Sequence, residues 1–168
     1  MNAFHARFIS TWTPDRLYRV YIDRGEIFFI RVGGQAGFAE GAALQLGLLG
    51  GFILRAIRRR NAARRAARAE ELDRQHPSAH LSAHKHNIHA AVSAVESSSL
   101  EPPAALGAHG EHFGRWKLTL RGSKPMLLQL ETIEDMTAAH QALAGLGAAH
   151  VSKVAYDPAS GRFAKAPA

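Results

Sequence analysis

The sequence predicts an α+β fold: two antiparallel β-hairpins forming a sheet, a long Gly/Ala/Arg-rich helical insertion between them, and a C-terminal capping helix. Three observations lead to it. Two runs of β-branched, aromatic and leucine residues each carry a turn at their centre. Residues 36–76 change to Gly, Ala, Leu and Arg, which favours helix. Thr132 and Asp135 have the spacing of a helix N-cap. The 168 residues, 46% of them apolar, indicate a single domain over 1–168.

The first hairpin is predicted over residues 17–32. Tyr18, Val20 and Ile22 alternate with the remaining residues of their strand, so they share one face. Because this face is wholly apolar, we expect it to meet the core. The sequence Asp23-Arg24-Gly25-Glu26 supplies the turn.

The insertion begins with an apolar helix predicted over residues 36–57. Small residues recur at every fourth position, which lays a groove along one side of the helix where another backbone can pack. These residues are Ala39, Ala43, Gly47 and Gly51. The charge-free run from Gly41 to Leu54 is shorter than the ~20 residues that span a bilayer. We therefore expect this helix to be buried in the protein, buried in a dimer, or in contact with a membrane surface.

The second part of the insertion is strongly basic. Seven arginines fall within fourteen residues and are the candidate anion-binding residues: Arg55, Arg58, Arg59, Arg60, Arg64, Arg65 and Arg68. Helical propensity continues through Leu72 until Pro77 stops it. Alanines separate the arginines, so the segment predicts a narrow cationic rod suited to phosphate contacts, although a solvated helical face is the commoner meaning of such a run.

The rest of the chain is predicted from shorter signals. A strand, alone or followed by a turn, is expected over 88–95, and an edge strand over 97–103 runs into a loop. The alternation of Trp116, Leu118 and Leu120 predicts a half-buried strand that pairs with a returning strand over 126–131. Thr132 starts the capping helix, which ends at Gly145 or Gly147, so residues 115–147 form a hairpin plus capping helix. A last short strand is expected over 151–156, and residues 163–168 are expected to fray.

No catalytic constellation is present. The chain has no cysteine, no phosphate-cradling GxxxxGK[ST] pattern and no GxSxG nucleophile motif. His80 and His84 are the candidate metal ligands, because imidazoles at i and i+4 of a helix can hold a divalent ion. Pro77 interrupts regular helix nearby, so a solvated polar segment is favoured over a metal site. The prediction is therefore a protein that is not an enzyme and has no cofactor.

Several of these segments together resemble uncharacterised bacterial proteins built on a pleckstrin-homology-like barrel. The residues concerned are 17–22, 26–30, 116–120, 128–130 and 133–135. The resemblance implies bent strands closed at one end by a capping helix. The insertion over 36–76 departs from that pattern, so an open sheet with a packed helix is the alternative.

A formal net charge of +7 predicts attraction to anionic surfaces. The leading hypothesis is a non-catalytic binding or scaffold module that is cytoplasmic and either lies peripherally on anionic lipid at the inner membrane face or self-associates through its small-residue helix. A protein partner is compatible with the same hypothesis. The alternative is nucleic-acid-backbone binding through the same arginines, which is favoured less because no recognition motif or interleaved aromatic accompanies them.

Overall fold

A computed structural model describes residues 2–10, 14–34, 63–103, 112–158 and 161–166. The strands are β1 Asn2–Ile9, β2 Arg16–Asp23, β3 Glu26–Gly34, β4 Ile88–Ala91, β5 Val95–Glu101, β6 Gly114–Leu120, β7 Met126–Leu130, β8 His150–Ser152, β9 Val154–Asp157 and β10 Arg162–Lys165. Residues 63–73 are helical and are called α1, and α2 is Ile133–Leu143. Short 3-10 helices cover Pro77–Ala83, Val92–Ala94 and Ala144–Ala149.

Eight strands form one open sheet in the order β4-β3-β2-β1-β7-β6-β5-β8. Neighbouring strands are antiparallel except β5 and β8, and β9 and β10 form a separate hairpin. The predicted α+β class is therefore confirmed, and of the two predicted architectures the described residues form the open sheet.

The sheet curls strongly. In a flat sheet β4 and β5 would be six strand spacings apart, about 29 Å, yet only Val92–Ala94 join them, a link that spans at most about 14 Å between strand ends. The rings of Phe29 on β3 and Trp116 on β6 stack with centroids 5.7 Å apart. The N–H of Val92 bonds the turn of the first hairpin at Gly25. The carbonyl of Ala94 accepts from Arg121 in the turn of the second, so both turns lie at the same end of the fold.

The core lies on the inner face of the curled sheet and contains residues from both ends of the chain. Phe4, Val20, Trp116, Leu128 and Met136 belong to one buried cluster. The strand residues among them follow the two-residue period of the strands, as predicted for the faces that carry Tyr18 and Trp116, and Met136 comes from α2. Burial of these large side chains is the main stabilising contribution.

The first hairpin is buried on both faces. Tyr18 and Val20 face the main core, whereas Tyr21 and Phe28 on the opposite face form a second cluster with Leu72 of α1. The predicted turn is confirmed: Arg24 and Gly25 have φ values of 47° and 82°, which matches the two-residue turns that suit a twisted hairpin. The first hairpin therefore positions α1 on the outer face of the sheet.

Helix α2 protects the edge of β1 where β7 ends. The N-cap prediction is confirmed, because Thr132 Oγ1 accepts the N–H of Asp135 at 3.0 Å. The carboxylate of Asp135 then accepts the backbone N–H of His5 at 2.6 Å. A backbone donor on β1 that has no strand partner at this position is satisfied by the helix instead.

Several sequence predictions are corrected by the structure. β1 was not predicted at all, although it is central in the sheet. The segment predicted as an edge strand, β5, lies between β6 and β8. The segment expected to fray contains β10, whose Phe163 is buried against α2 and β9. Leu143, not Gly145 or Gly147, ends α2, and the chain continues as a 3-10 helix in which Gly147 has a φ of 62°.

The predicted helix over 36–57 lies outside the described residues, as do its small residues Ala39, Ala43, Gly47 and Gly51. The predicted helical continuation is confirmed over 63–73, and it ends before Pro77. Within the part of the chain that the structure describes, no helix combines the length and apolar character needed to cross a bilayer.

Candidate functional site on the outer face of the sheet

Three of the candidate anion-binding arginines lie on α1, which packs across the outer face of β2 and β3. They are Arg64, Arg65 and Arg68. The remaining four, Arg55, Arg58, Arg59 and Arg60, lie outside the described residues. The surroundings of α1 therefore decide how far the described arginines are available to a ligand.

Asp73, at the end of α1, joins the helix to β2. It accepts a hydrogen bond from Arg19 Nη2 at 2.8 Å and one from the hydroxyl of Tyr21 at 2.7 Å. Burial raises the pKa of the Asp73 carboxyl, but the hydrogen bonds from Arg19 and Tyr21 outweigh it, so the pKa lies below its usual value. Burial, helped by Asp73, raises the pKa of the Tyr21 hydroxyl, which remains a donor at neutral pH.

Glu131, directly after β7, holds two arginines. It pairs with Arg7 of β1 and, through its other oxygen, with Arg65 of α1 at 2.7 Å. Arg7 is among the few buried charged residues of the described chain. Arg65 is thus one half of an ion pair between α1 and the sheet, and this contact makes it a structural residue.

Asp135 is the third carboxylate of this region. Besides the backbone of His5, it contacts the His5 ring at Nδ1, 3.4 Å away. Burial raises the pKa of Asp135, but the bonds from His5 and Thr132 more than compensate, so the pKa is lowered. The His5 ring in turn lies 3.5 Å from Arg19 Nη1, which links this carboxylate to Asp73.

We call this network the clamp and define it as Arg7, Arg19, Arg65, Asp73, Glu131 and Asp135. Glu131 and Asp73 hold the three arginines, and Asp135 joins them through His5, so three positive and three negative formal charges balance. A balanced, partly buried network satisfies its own members and offers little attraction to an external ion. The clamp therefore fastens α1 and α2 to the sheet.

The other two arginines of α1 point towards solvent. Arg68 pairs with Glu71 at 2.5 Å one turn along the helix, and this hydrogen bond lowers the pKa of Glu71. Arg64 is exposed. Of the three described candidates, Arg64 is thus the one to which no ion pair is assigned, and it lies at the start of the described helix.

The two candidate metal-binding histidines lie on different backbone geometries. His80 is within the 3-10 helix Pro77–Ala83, and His84 follows with extended backbone at φ −152° and ψ 134°. Regular α-helix, on which i and i+4 imidazoles converge, is therefore absent here. The guanidinium of Arg31 lies 2.6 Å from His84 Nε2, where it disfavours a second cation. Over the described ranges, no three histidine, aspartate or glutamate side chains gather as metal ligands.

A second polar group, which sequence reasoning missed, lies on the outer face at β5 and β6. We call it the Glu101 cluster: Glu101 with Arg115, Lys117 and Lys153. The Glu101 carboxylate lies 2.8 Å from Lys117 Nζ, 3.0 Å from Lys153 Nζ and 3.5 Å from Arg115 Nη2. Burial raises the pKa of Glu101, but the two lysines more than offset it, and the pKa is lowered.

The available sequence signal for this cluster is the polar alternation of β6. Arg115 and Lys117 flank Trp116, whose side chain faces the core, so both share the outer face. Nothing in the sequence indicates that Lys153, 52 residues from Glu101, joins them.

No family model matches the chain, and comparisons with curated proteins and with solved structures find no significant match. The resemblance to pleckstrin-homology-like proteins stays a prediction.

Proposed function

We propose that the chain is a non-catalytic anchoring module whose folded sheet holds the basic insertion against an anionic membrane surface. The observation that carries this proposal is the clamp. The insertion leaves the sheet after Gly34, at the end of β3, and returns as α1, which the clamp fastens to the outer face. The described residues on either side of 35–62 therefore belong to the sheet and to the helix packed on it.

The distribution of charge supports the same reading. Arg65 and Arg68 are engaged by carboxylates and Arg64 is exposed, so we propose that Arg64 and the four arginines before it in the sequence meet the anionic surface. Those four directly follow the apolar, small-residue run. An apolar helix adjoining a cationic segment is the arrangement in which interfacial anchors meet anionic lipid.

Co-sedimentation with vesicles tests the proposal. The full chain is expected to pellet with phosphatidylglycerol-containing vesicles and to stay in the supernatant with neutral vesicles. Each arginine near an anionic surface contributes about 1 kcal/mol, so the triple variant R58Q/R59Q/R60Q should bind roughly 100-fold more weakly. The matched control K85Q/K124Q/R162Q removes the same charge from exposed positions elsewhere and should bind nearly as the wild type does.

Two outcomes would contradict membrane anchoring. One is equal recovery in the supernatant with both kinds of vesicle. The other is an equal loss of binding in the triple variant and its control, which would indicate attraction by net charge alone. Binding to duplex DNA that weakens steeply with salt, without vesicle binding, would favour the nucleic-acid alternative.

Self-association through the small-residue helix is a related proposal. A side chain at Gly47 would overpack a backbone lying in the groove, at a cost of about 1–3 kcal/mol. Gly47→Leu should therefore lower the thermal midpoint or shift a monomer–dimer equilibrium in sedimentation velocity. Leu49→Met, on the opposite face, is the control and should change neither. A Gly47→Leu variant with wild-type stability and mass would rule out the groove as a packing surface.

A further inference from the structure

The Glu101 cluster collects more cationic charge than its single carboxylate balances. Glu101 and Arg115 are directly paired across β5 and β6, and Ser99 is paired with Lys117. Side chains two residues apart on a strand share a face, so Arg115 and Lys117 both project on the outer side with Glu101. Lys153 reaches the same carboxylate because its backbone N–H bonds the carbonyl of Leu100 at 2.8 Å.

The described residues do not fill the hydrogen-bonding capacity of the cluster. Each ammonium has three N–H donors, and the contact with Glu101 uses one. Arg115 Nε is buried without a hydrogen-bond partner. Among the described residues, three cations around one carboxylate also leave a formal surplus of two positive charges.

Burial and exposure within the cluster differ by residue. The Glu101 side chain is 9% exposed, whereas those of Lys117 and Lys153 are each 53% exposed. The carboxylate therefore lies at the buried base of the cluster, and the two lysines extend from it to solvent. The three cations therefore lie close together around one point of the outer face.

We propose that the Glu101 cluster binds a phosphate monoester group. Such a group carries close to two negative charges at neutral pH, which matches the surplus. Its oxygens are arranged tetrahedrally, so they can accept from two ammonium groups and one guanidinium that approach from different directions. A carboxylate ligand would leave one positive charge unbalanced. The cluster contains no residue of the insertion, and the proposal does not depend on the anchoring function.

Titration with inorganic phosphate tests this site. We expect millimolar phosphate to raise the thermal midpoint of the full chain and to shift the NMR signals of the Lys117 and Lys153 side chains. The double variant K117Q/K153Q should weaken the apparent affinity at least about tenfold. The control K85Q/K124Q removes the same charge at exposed positions and should respond as the wild type does. Equal effects in the two doubles would overturn the proposal.

Glu101→Gln supplies an independent readout. It removes the negative charge nearest the ligand and keeps the shape of the side chain, so phosphate affinity should rise about tenfold. A purely structural cluster would show lower stability in this variant with no gain in affinity, and that result would overturn the site.

Two further arms identify the source of the phosphate group. A response to glycerol phosphate but not to phosphatidic acid vesicles supports a soluble ligand, and a response to the vesicles supports a lipid headgroup. The vesicle arm is read on R58Q/R59Q/R60Q, so that anchoring through the insertion does not mask it. No response to phosphate, ester or vesicle would refute the proposal.

Discussion

The clamp and the Glu101 cluster lie on the outer face of the same sheet and are built from similar residues, yet they differ in charge balance. In the clamp three arginines pair with Glu131 and Asp73, Asp135 joins through His5, and Arg7 is almost completely buried. In the Glu101 cluster three cations share one carboxylate, and both lysines are half exposed. Buried charges need partners, whereas exposed ones tolerate surplus. We infer that the balanced network stabilises the fold, whereas the unbalanced one can bind an anion.

The largest change in stability is expected when Glu131 of the clamp is replaced. Glu131→Ala leaves the buried guanidinium of Arg7 without its carboxylate, so we expect the free energy of unfolding to fall by about 3 kcal/mol. The double variant R7M/E131L replaces the pair with apolar side chains and should recover at least half of that loss. Urea denaturation measures both. A loss below about 1 kcal/mol in Glu131→Ala would contradict a structural role for the clamp.

The second test compares one cation from each region. Arg19→Gln breaks the contact with Asp73 and is expected to cost about 2 kcal/mol, since the hydrogen bond is charge-assisted and Arg19 is mostly covered. Lys117→Gln removes one of the surplus cations around Glu101 and should change stability by less than about 0.5 kcal/mol. Comparable losses in the two variants, measured by the same denaturation, would remove the distinction between the regions.

Acidification is expected to lower the stability of the fold through His150, which begins β8. This strand pairs with β5, the strand that carries Glu101. The Nδ1 atom of His150 lies 2.7 Å from Ser98 Oγ, and burial, with a smaller contribution from His140, lowers the pKa of His150 below the usual 6.5. The unfolded chain therefore binds a proton that the folded chain resists, so stability falls as pH drops below 6.5, by at most about 1.4 kcal/mol per pH unit.

His150→Asn keeps an acceptor for Ser98 and has no proton to gain. It should flatten the dependence of stability on pH between 6.5 and 5, measured by urea denaturation at each pH. The lowered pKa values of Asp73, Asp135 and Glu101 act in a lower range: their stabilisation is present above their usual values of 3.8 and 4.5 and is lost below. An unchanged slope above pH 5 would show that His150 is not the titrating group.

The smallest expected effect distinguishes two neighbouring arginines of α1. Arg65→Gln breaks the pair with Glu131 and should cost about 1 kcal/mol, because the pair is only partly exposed. Arg64 is exposed, and Arg64→Gln should leave stability within about 0.5 kcal/mol of wild type. If Arg64→Gln is the more destabilising of the two, the clamp does not hold α1 as described.

Local signals predicted the parts of this fold that depend on neighbouring residues. The turn at Arg24 and Gly25 and the cap between Thr132 and Asp135 are each determined within four residues of sequence, and both are confirmed. The missed strand β1 did carry a signal, since Phe4, Ala6 and Phe8 alternate with polar residues. Arg7 interrupts that run with a charge, and its burial depends on a carboxylate partner 124 residues away, which neighbouring residues do not indicate.

The candidate site could not be predicted for a related reason. Asp73 meets Arg19 across 54 residues, and Glu101 meets Lys153 across 52. Contacts at such separations follow from the order of strands in the sheet. That order depends on how the two hairpins are arranged relative to each other, which neighbouring residues do not determine. The same limit explains why β5 was predicted as an edge strand: its own residues do not indicate that β8 will pair beside it.

The position of β1 has a consequence for synthesis of the chain. β1 and β2 can pair as soon as both are made, but β7, which closes the other side of β1, is translated more than a hundred residues later. At usual elongation rates that interval is on the order of ten seconds. Throughout it, the free edge of β1 presents unpaired backbone groups to other nascent chains. The apolar side chains of Phe4 and Phe8, on the face that later meets the core, are also uncovered. Chaperone dependence and the yield of recombinant protein should therefore be governed by how quickly β7 and α2 arrive, more than by the stability of the finished fold.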